Sequence, residues 1–518
     1  MTTAISQTLP KGARSGPSPL LRPLATAVLA VALAGCVSTR GLQPQATLAA
    51  PERLQVSNTL AGATLTPAAW PQTDWWKSLG DAQLDALVSQ ALAGNPSIAA
   101  VDARVRMAQA QAGEQDAARK AKIGAQAQYS GLAIPSTLAP PPFGGHYLAA
   151  HIWTLGGSYS PDLWGGHRAT WEAAVDQAHA AQIDAQSARL TLAAGIVQVY
   201  AELAHTADLQ ALTKQEVERA DAVRALTGQR VKAGIDNDFQ LRQADAAVAL
   251  AQRSIATVRE QDAQLRAQLA ALLGQGPDRG LAIVAPASLP IAPLGVPDDL
   301  PSGLLARRPD IVAARWRVEA AARGIAAMKA QFYPNINLSV SAGLASNSLT
   351  TLFEAPARFA QLGPSLSLPI FDGGRLRSGL AQRDAAFDAA IAQYDQTLVD
   401  AMHEVAAQVI AVRGIDAQLA SQQQARDAAR AGYELATQRY RGGLAGRLDV
   451  LAVQQSLLRS DEQIIDLRAQ RFAASVQLAQ ALGGGFHADG ELSPPTAAPD
   501  TQLARKPFFA PAEPAPAH

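Results

Sequence analysis

The second half of the chain contains a long stretch in which apolar residues recur at steps of three, four and seven positions. They are Leu380, Phe387, Ile391, Tyr394, Leu398, Met402, Val405, Val409, Val412 and Leu419. Such steps place an apolar seam on one face of an α-helix, as in a coiled coil. The stretch 375–441 therefore predicts a rod about 100 Å long, at about 1.5 Å per residue. A similar stretch, 166–233, predicts a second rod.

Other regions alternate strictly between apolar and polar residues. In the second half these are 336–344 and 366–370, and in the first half, more weakly, 124–130 and 151–160. A period of two predicts strands with one apolar face. Strands of about ten residues can cross a bilayer when tilted. Because the smallest barrels have about eight strands, transmembrane strands would require several copies of the chain. A small soluble sheet that caps the helices is the alternative.

Aromatic residues flank or interrupt these strands. We expect them to form a girdle at the membrane surface if the strands are transmembrane. The residues are Trp153, Tyr159, Trp164, Phe332 and Tyr333.

Three landmarks occur twice in the chain, in the same order. The paired segments are 95–96 and 308–310, 162–168 and 370–375, and 229–234 and 438–443. Their common offset of about 210 residues is far too long for a solenoid and predicts a duplicated, domain-sized unit.

Each copy of the unit is predicted to contain the same elements. A first helix (81–122, 309–331) leads to a strand region, a long helix, a glycine turn and a return helix (238–273, 447–482). Glycine just past a helix end is the expected stop signal. The chain is thereby divided into a signal peptide at 1–35, a segment at 36–80 whose first residue is the candidate for lipidation, the first repeat at 81–273, a linker at 274–308, the second repeat at 309–485, and a Pro/Ala-rich tail at 486–518, expected to be disordered.

Composition excludes several classes of chemistry. Lysine and arginine number 44, as do aspartate and glutamate, so net charge gives no reason to expect nucleic acid as a partner. The histidines lack metal-ligand spacing, and neither a P-loop nor a Gly-x-Ser-x-Gly motif is present. The single cysteine allows no disulfide framework. We therefore expect no enzyme, no catalytic residue, no metal and no cofactor.

The single cysteine has an informative context. Cys36 ends the run Leu33-Ala34-Gly35-Cys36, after basic residues and an apolar stretch of 24–34. This order is typical of a secretory signal, which is too short to span a bilayer. The run resembles a bacterial lipobox, which implies covalent lipid, including palmitate, on Cys36. By the same resemblance, Val37 in place of aspartate favours the outer membrane.

Several motifs together resemble the TolC-like outer-membrane efflux proteins, specifically the NodT-like and OprM-like lipoprotein branch. They are Trp75-Trp76 with 79–84, the segments 91–96 and 300–311, Phe332-Tyr333-Pro334, Phe371-Asp372-Gly373-Gly374, and 481–485. One departure is Ala313-Ala314-Arg315, where the family usually has Ala-Glu.

The resemblance implies a mixed fold: a homotrimer in which four strands per chain form a 12-stranded transmembrane β-barrel, continued by an α-helical coiled-coil tunnel in the periplasm. It implies passive export of drugs or other small molecules. A periplasmic adaptor (membrane fusion) protein and an inner-membrane pump, commonly of the resistance-nodulation-division type, would feed the tunnel. The chain would be inserted in the outer membrane and anchored there by lipid, with most of its length in the periplasm. By the same resemblance, part of the lipidated segment 36–80 and the linker 274–308 would form an equatorial region around the tunnel.

The turns between long and return helices are expected to form the periplasmic tip. Family members close this tip with hydrogen bonds and salt bridges. We hypothesise that Asp236 or Asp238 pairs with Arg441 or Arg447 across the closed tip. Tyr440 matches a tyrosine of the family's gate network.

Two glycines lie in these turns, near the expected adaptor-facing surface. Gly234 and Gly443 would supply turn geometry. The alternative interpretation of the nearby charges is that they are solvated turn residues of little energetic consequence.

Two other functions stay open at this level. One is a type I protein-secretion exit duct with an ATP-driven partner. The other is a lipid-anchored coiled-coil scaffold in the periplasm without a pore. Insertion of the strands into a membrane would distinguish a pore from a scaffold. The lipobox and the 308–310 motif favour drug efflux, by resemblance.

Overall fold

The computed structural model describes residues 38–50, 70–140, 144–286, 297, 300, 302–495 and 499–501. Its helices are α1 (Ala82–Gly94), α2 (Pro96–Ala118), α3 (Gly166–Lys232), α4 (Asp238–Leu272), α5 (Leu304–Arg307), α6 (Pro309–Ala330), α7 (Arg375–Arg441) and α8 (Arg447–Ala481). Its strands are β1 (Lys122–Ala133), β2 (Tyr147–Tyr159), β3 (Asn335–Ser346) and β4 (Arg358–Ser367). Both long helices have 67 residues and both return helices have 35. The predicted duplication is confirmed.

The first repeat begins with two helices where one was predicted over 81–122. Asn95 separates them in an extended conformation, and its side chain accepts a hydrogen bond from the backbone N–H of Ser97 at 2.7 Å. A residue before proline avoids the helical region, and asparagine is a favoured N-cap. The sequence Asn95-Pro96 therefore ends α1 and starts α2.

Two shorter helices, placed end to end, line each long helix. Helices α2 and α4 pack on α3, while α6 and α8 pack on α7. Asn95 Nδ2 donates to the carbonyl of Leu272 at 2.7 Å, and Arg308 Nη1 donates to the carbonyl of Ala481 at 3.1 Å. In each copy the first helix therefore starts where the return helix ends. The two copies join where α3 contacts α6 and α8.

The apolar seam predicted on α7 is buried from Leu380 to Val412. It forms one core cluster with α6, including Ile311, Val318 and Ile325. A second cluster joins α1, α2 and α3 and receives Phe472 of α8. The second cluster lies where the short helices meet end to end, and the first extends from that junction along α6 to Phe332 and Leu376 near the sheet. No helix within the described ranges is both long and apolar enough to cross a membrane.

The strands form one antiparallel sheet in the order β1-β2-β3-β4. The prediction of a strand at 366–370 is wrong in its bounds, because β4 covers Arg358–Ser367. Gly363 and Pro364 interrupt the pattern that would have shown it. Proline is tolerated there because β4 is an edge strand, where one N–H per residue pair needs no partner.

The tail that was predicted to be disordered packs on the helices at 486–495. The backbone N–H of Ala488 donates to the carbonyl of Ala306 at 2.9 Å. Trp316 Nε1 donates to the carbonyl of Leu492 at 2.9 Å, and Arg315 Nη2 to that of Pro495 at 3.0 Å. Side chains of α6 therefore satisfy backbone groups of this segment, and the prediction is wrong for it.

Candidate functional site

The sheet has two faces of opposite character, as its register shows. Side chains of Ile123, Ala125, Ala127, Trp153, Leu155, Leu338, Val340, Ala342, Leu344, Leu362 and Leu366 share one face. The other face carries Gln126, Gln128, Thr154, Ser158, Asn337, Ser339, Ser341, Gln361 and Ser365. Ile123 and Leu362 are 78% and 77% exposed in the single chain. An exposed apolar face of this extent marks a contact with lipid or protein.

The two outer strands leave open edges. Strand β1 pairs with β2 and strand β4 with β3, so within the described chain the far edge of each has no partner strand. Open edges present rows of backbone donors and acceptors that favour pairing with another strand. The sheet is therefore built to continue into neighbouring strands.

Aromatic side chains lie at both ends of the sheet. At the helix end, Trp164 stacks on Tyr333 with ring centroids 4.6 Å apart, and its Nε1 donates to the carbonyl of Pro334. Toward the β3–β4 connection, Trp153 meets Phe353 edge-on at 5.4 Å. Phe332 does not join such a girdle, because it is buried in the α6–α7 core. That part of the predicted girdle is wrong.

The repeated glycine motifs are turns that start the long helices. Asp162 accepts hydrogen bonds from the backbone N–H groups of His167 and Arg168. In the second copy Asp372 accepts from Gly374 and Leu376. Free N–H groups at a helix start are satisfied in this way. Each carboxylate thereby fixes the angle at which a rod leaves the sheet.

The two tip turns share one backbone geometry. Gly234 and Gly443 both have φ of 71°, in the left-handed region that favours glycine. The N–H of Ile235 donates to the carbonyl of Arg230 at 2.9 Å, and the N–H of Leu444 to that of Arg439 at 2.8 Å. These bonds close the helix end in the manner of a Schellman motif. Whether the adaptor meets these glycines stays a prediction.

The first tip turn contains an ion pair that the sequence hypothesis did not include. Arg230 Nε and Nη2 donate to the two carboxylate oxygens of Asp236 at 2.7 and 3.0 Å. Hydrogen bonds from Arg230 lower the pKa of Asp236 below its usual range. Asp238, in the first turn of α4, is exposed.

The second tip turn is basic and carries the aromatic gate candidate. Tyr440 is 42% exposed, and the Arg447 guanidinium lies 5.7 Å from its ring centroid. Arg441, the last residue of α7, is also exposed. Pairing of Asp236 or Asp238 with Arg441 or Arg447 would join different helices of the tip, and it stays a prediction.

Cys36 lies outside the described residues, but the segment that follows it is held along α7. Arg377 donates to the carbonyl of Ser38 at 2.5 Å. Asp388 accepts from the backbone of Gln45 and Ala46, and Asp395 accepts from Ala49. Sequence reasoning missed these acceptors. Their spacing of seven, which puts both carboxylates on one side of the helix, is the signal that could have shown them.

In the part of the chain that the structure describes, no three His, Cys, Asp or Glu side chains are grouped so as to hold a metal ion.

Comparison with known proteins connects this geometry to a family. A family model described as outer membrane efflux protein matches residues 87–275 and 300–484, one segment in each repeat. The fusaric acid resistance protein FusA of Burkholderia cepacia is 38% identical over 372 residues, which are 70% of this chain and 69% of FusA. The multidrug resistance outer membrane protein MdtP of Escherichia coli (strain K12) is 30% identical over 465 residues, 88% of this chain and 94% of MdtP. The crystal structure of the outer membrane protein VceC of Vibrio cholerae superposes with a TM-score of 0.73 at 34% identity, over 81% of this chain and 100% of VceC.

Proposed function

This chain belongs to the outer membrane efflux protein family, and we propose that it is the outer-membrane channel of a tripartite efflux system, through which small molecules leave the cell unchanged. The observation that carries the proposal is a sheet with one apolar and one polar face that continues into helices of 67 residues. A membrane-spanning sheet turns apolar side chains to lipid and polar ones to a water-filled interior.

Three copies complete the channel. Four strands per chain give twelve when the open edge of β4 in one copy meets that of β1 in the next, above the minimum of about eight for a barrel. The helices at the edges of the single chain also expose apolar side chains. These are Met107 on α2, Leu250 on α4, and Val399, Ile410 and Leu435 on α7. Contact between α7 of one copy and α2 and α4 of the next would remove them from water.

The helical part is a periplasmic tunnel. At about 1.5 Å per residue each long helix reaches about 100 Å, far beyond a bilayer of about 30 Å. A passive tube supplies no energy for export. The energy therefore comes from an inner-membrane pump. The family resemblance favours a pump of the resistance-nodulation-division type, which a periplasmic adaptor links to the tip.

The relatives point to small molecules as the cargo. FusA is named for resistance to fusaric acid and MdtP for resistance to many drugs. We infer small organic molecules, drugs among them, as cargo for this chain too. These names favour drug efflux over protein secretion.

A lipid on Cys36 would lie at the membrane end of the tunnel. Ser38 is held by Arg377, the third residue of α7, shortly after β4 ends at Ser367. In the sequence Ser38 follows Cys36 by two residues. This placement supports a lipid anchor at the base of the sheet, where it reaches the inner leaflet.

The gate proposal takes a sharper form from the two tip turns. In the first turn Arg230 is paired with Asp236, and Asp238 stays exposed. The second turn is net basic, so Asp238 meets guanidinium groups if the α3–α4 and α7–α8 hairpins alternate around the tip. Asp238 is the stronger candidate for Arg441 or Arg447, because Asp236 already binds Arg230. Tyr440, beside Arg447, would complete the constriction.

The direct test is the conductance of purified protein in a planar lipid bilayer. We expect discrete channels from a trimeric species, and higher conductance from Asp238→Ala, with Asp221→Ala on the exposed side of α3 as control. A folded trimer that never inserts would overturn the channel function. Insertion with unchanged conductance in Asp238→Ala would overturn only the gate.

A further inference from the structure

A histidine joins three helices of the tunnel. His205 on α3 places Nε2 2.9 Å from Asp466 Oδ1 on α8 and Nδ1 3.2 Å from Glu202 Oε1, one turn earlier on α3. Gln261 on α4 donates to the same Glu202 oxygen at 3.2 Å. The His205 side chain is only 13% exposed. The two repeats are thus tied through one imidazole.

This contact lies at the tip-side end of the apolar cluster that joins α3 and α8. On the membrane side, Leu203 and Tyr200 of α3 are buried in one apolar cluster with Phe472 of α8. A cavity of about 300 Å³ between α3 and α8 is centred on His205 and is lined by polar and apolar side chains alike. Nearer to the tip the two helices border a second cavity of about 190 Å³, lined mostly by polar side chains. Further down, Arg219 reaches the carbonyl of Leu451 only at 3.4 Å. On the tip side of His205, polar contacts thus take the place of the apolar cluster that holds α3 and α8 together on the membrane side.

The charges around the ring decide when the tie holds. Glu202 and Asp208 of α3 and Arg468 of α8 line the cavity together with His205. Asp466 of α8 binds the imidazole directly, and α4 contributes the uncharged Gln261 through its bond to Glu202. A protonated imidazole donates from both nitrogens, whereas a neutral one donates from one and turns a lone pair toward the other carboxylate. Hydrogen bonds that the His205 imidazole donates to Glu202 and Asp466 raise the pKa of His205, and the contact with His205 lowers the pKa of Glu202.

We infer that His205 is a pH-dependent tie that holds the tip half of α8 against α3 while protonated and releases it when neutral; the inference rests on the proposed channel function. In a released state the imidazole has its ordinary pKa of about 6.5. The tie is therefore at full strength below about pH 6.5 and is lost as pH rises through the raised pKa of the tied state. The tip opens more readily on the alkaline side.

Single-channel recording tests the tie. The open probability of the wild-type trimer should rise about tenfold between pH 6 and pH 9. This factor corresponds to the loss of one hydrogen bond to a charged group, at the usual strength of such a bond. His205→Gln should be open and nearly independent of pH. Asp466→Asn should weaken the tie in the same direction. His403→Gln, on an exposed part of α7, should follow the wild type. Equal pH profiles for wild type and His205→Gln would overturn the tie.

A second readout does not depend on conduction. Spin labels at Gln215→Cys on α3 and Gln455→Cys on α8 flank the smaller cavity, and both native residues are exposed. Their distance distribution in detergent should be narrow at pH 6 and broad at pH 9, and broad at both values in His205→Gln. An unchanged distribution would overturn the inference even if channels form. Absence of any channel, with the expected distance change, would overturn the proposed function and leave the tie in place.

Discussion

The two tip turns have the same backbone but different charges. Arg230 in the first turn and Arg439 in the second occupy matching positions, and each accepts the same backbone hydrogen bond. Only the first has a carboxylate for its guanidinium, because Ala445 stands where Asp236 stands in the first. Glycine geometry is thus required in both copies, whereas the exposed charges are free to differ.

The next helix begins in the same way after both turns. Gln240 accepts from the backbone N–H of Asn237 at 3.2 Å, and Asp449 accepts from that of Gly446 at 2.8 Å. A side chain three residues into a helix commonly returns to its start like this. Duplication therefore preserved the fold of the tip and allowed one turn to be balanced in charge and the other to be basic.

At the other end of the return helices, the two copies again share a backbone contact but differ in charge, and the expected difference in stability is larger. Asn95 binds the carbonyl of Leu272, and Arg308 binds that of Ala481. Arg308 also donates to both oxygens of Asp310 and to Glu404 at 2.6 Å, and its side chain is 9% exposed. The second copy thus replaced a neutral cap by a buried ionic one.

Loss of Arg308 should have the largest effect. We expect Arg308→Ala to destabilise the fold by about 3 kcal/mol, because Asp310, Glu404 and the carbonyl of Ala481 lose their hydrogen-bond donor. Water partly screens the charge of the half-exposed Glu404. Asn95→Ala should cost about 1–2 kcal/mol, as a lost cap does. Denaturant unfolding of both variants measures the difference. Equal losses would mean that the ionic cap adds nothing to the neutral one.

Two buried aspartates should have a smaller effect on the stability of the fold, and this effect depends on pH. Asp176 on α3 is 5% exposed and accepts from Arg323 at 3.0 Å, and burial raises its pKa to about 6. Asp384 on α7 is 6% exposed, and burial raises its pKa as well. A carboxyl whose folded pKa lies above its unfolded value makes the fold less stable as pH rises through that folded pKa.

Asp176→Asn removes this titration. Its stability relative to the wild type should improve by about 2–3 kcal/mol between pH 4 and pH 8, from the displacement of the pKa to about 6 from about 3.9. Thermal midpoints at the two pH values measure the change. Asp427→Asn, on an exposed part of α7, should show none of it. If the stability of Asp176→Asn relative to the wild type fell as pH rises, the result would contradict this prediction.

The smallest stability change is expected at the tips themselves. Ala445→Asp gives Arg439 the partner that Arg230 has, and Asp236→Ala removes that partner from the first turn. Exposed pairs of this kind contribute little to stability, so both thermal midpoints should stay near that of the wild type. Open probability should nevertheless rise in Asp236→Ala. A large loss of stability in either variant would show that the turn charges hold the fold and not the gate.

The rods could be predicted from the sequence because their signals are local. The seam and the flanking glycines gave 375–441 for α7, which the structure confirms. Strand β4 was misplaced because Gly363 and Pro364 hide its alternation. Phe332 was assigned to the girdle because a single aromatic residue carries no information about which neighbour will cover it.

The contacts of the site were harder to predict. His205 and Asp466 are separated by 261 positions, and Asp388 binds backbone that is more than 340 positions away. The first contact leaves no periodic trace in the sequence, and for the second the spacing of Asp388 and Asp395 marks the acceptors but not the backbone that they bind. The Arg230–Asp236 pair spans six positions across a turn, outside the three- and four-residue spacing of helical pairs. Long-range pairing of this kind is fixed only when the repeats pack.

The claim that copies close through their open sheet edges can be tested directly by disulfide cross-linking. One cysteine replaces Ala127 on β1, and a second replaces Ala360, Leu362 or Pro364 on β4, so that three registers are sampled. Gly156→Cys with Ser341→Cys, register partners on β2 and β3, is the control within one chain. We predict dimers and trimers for at least one edge pair in membrane-inserted protein, and only intrachain bonds for the control. Monomers for every edge pair, while the control cross-links, would contradict the account.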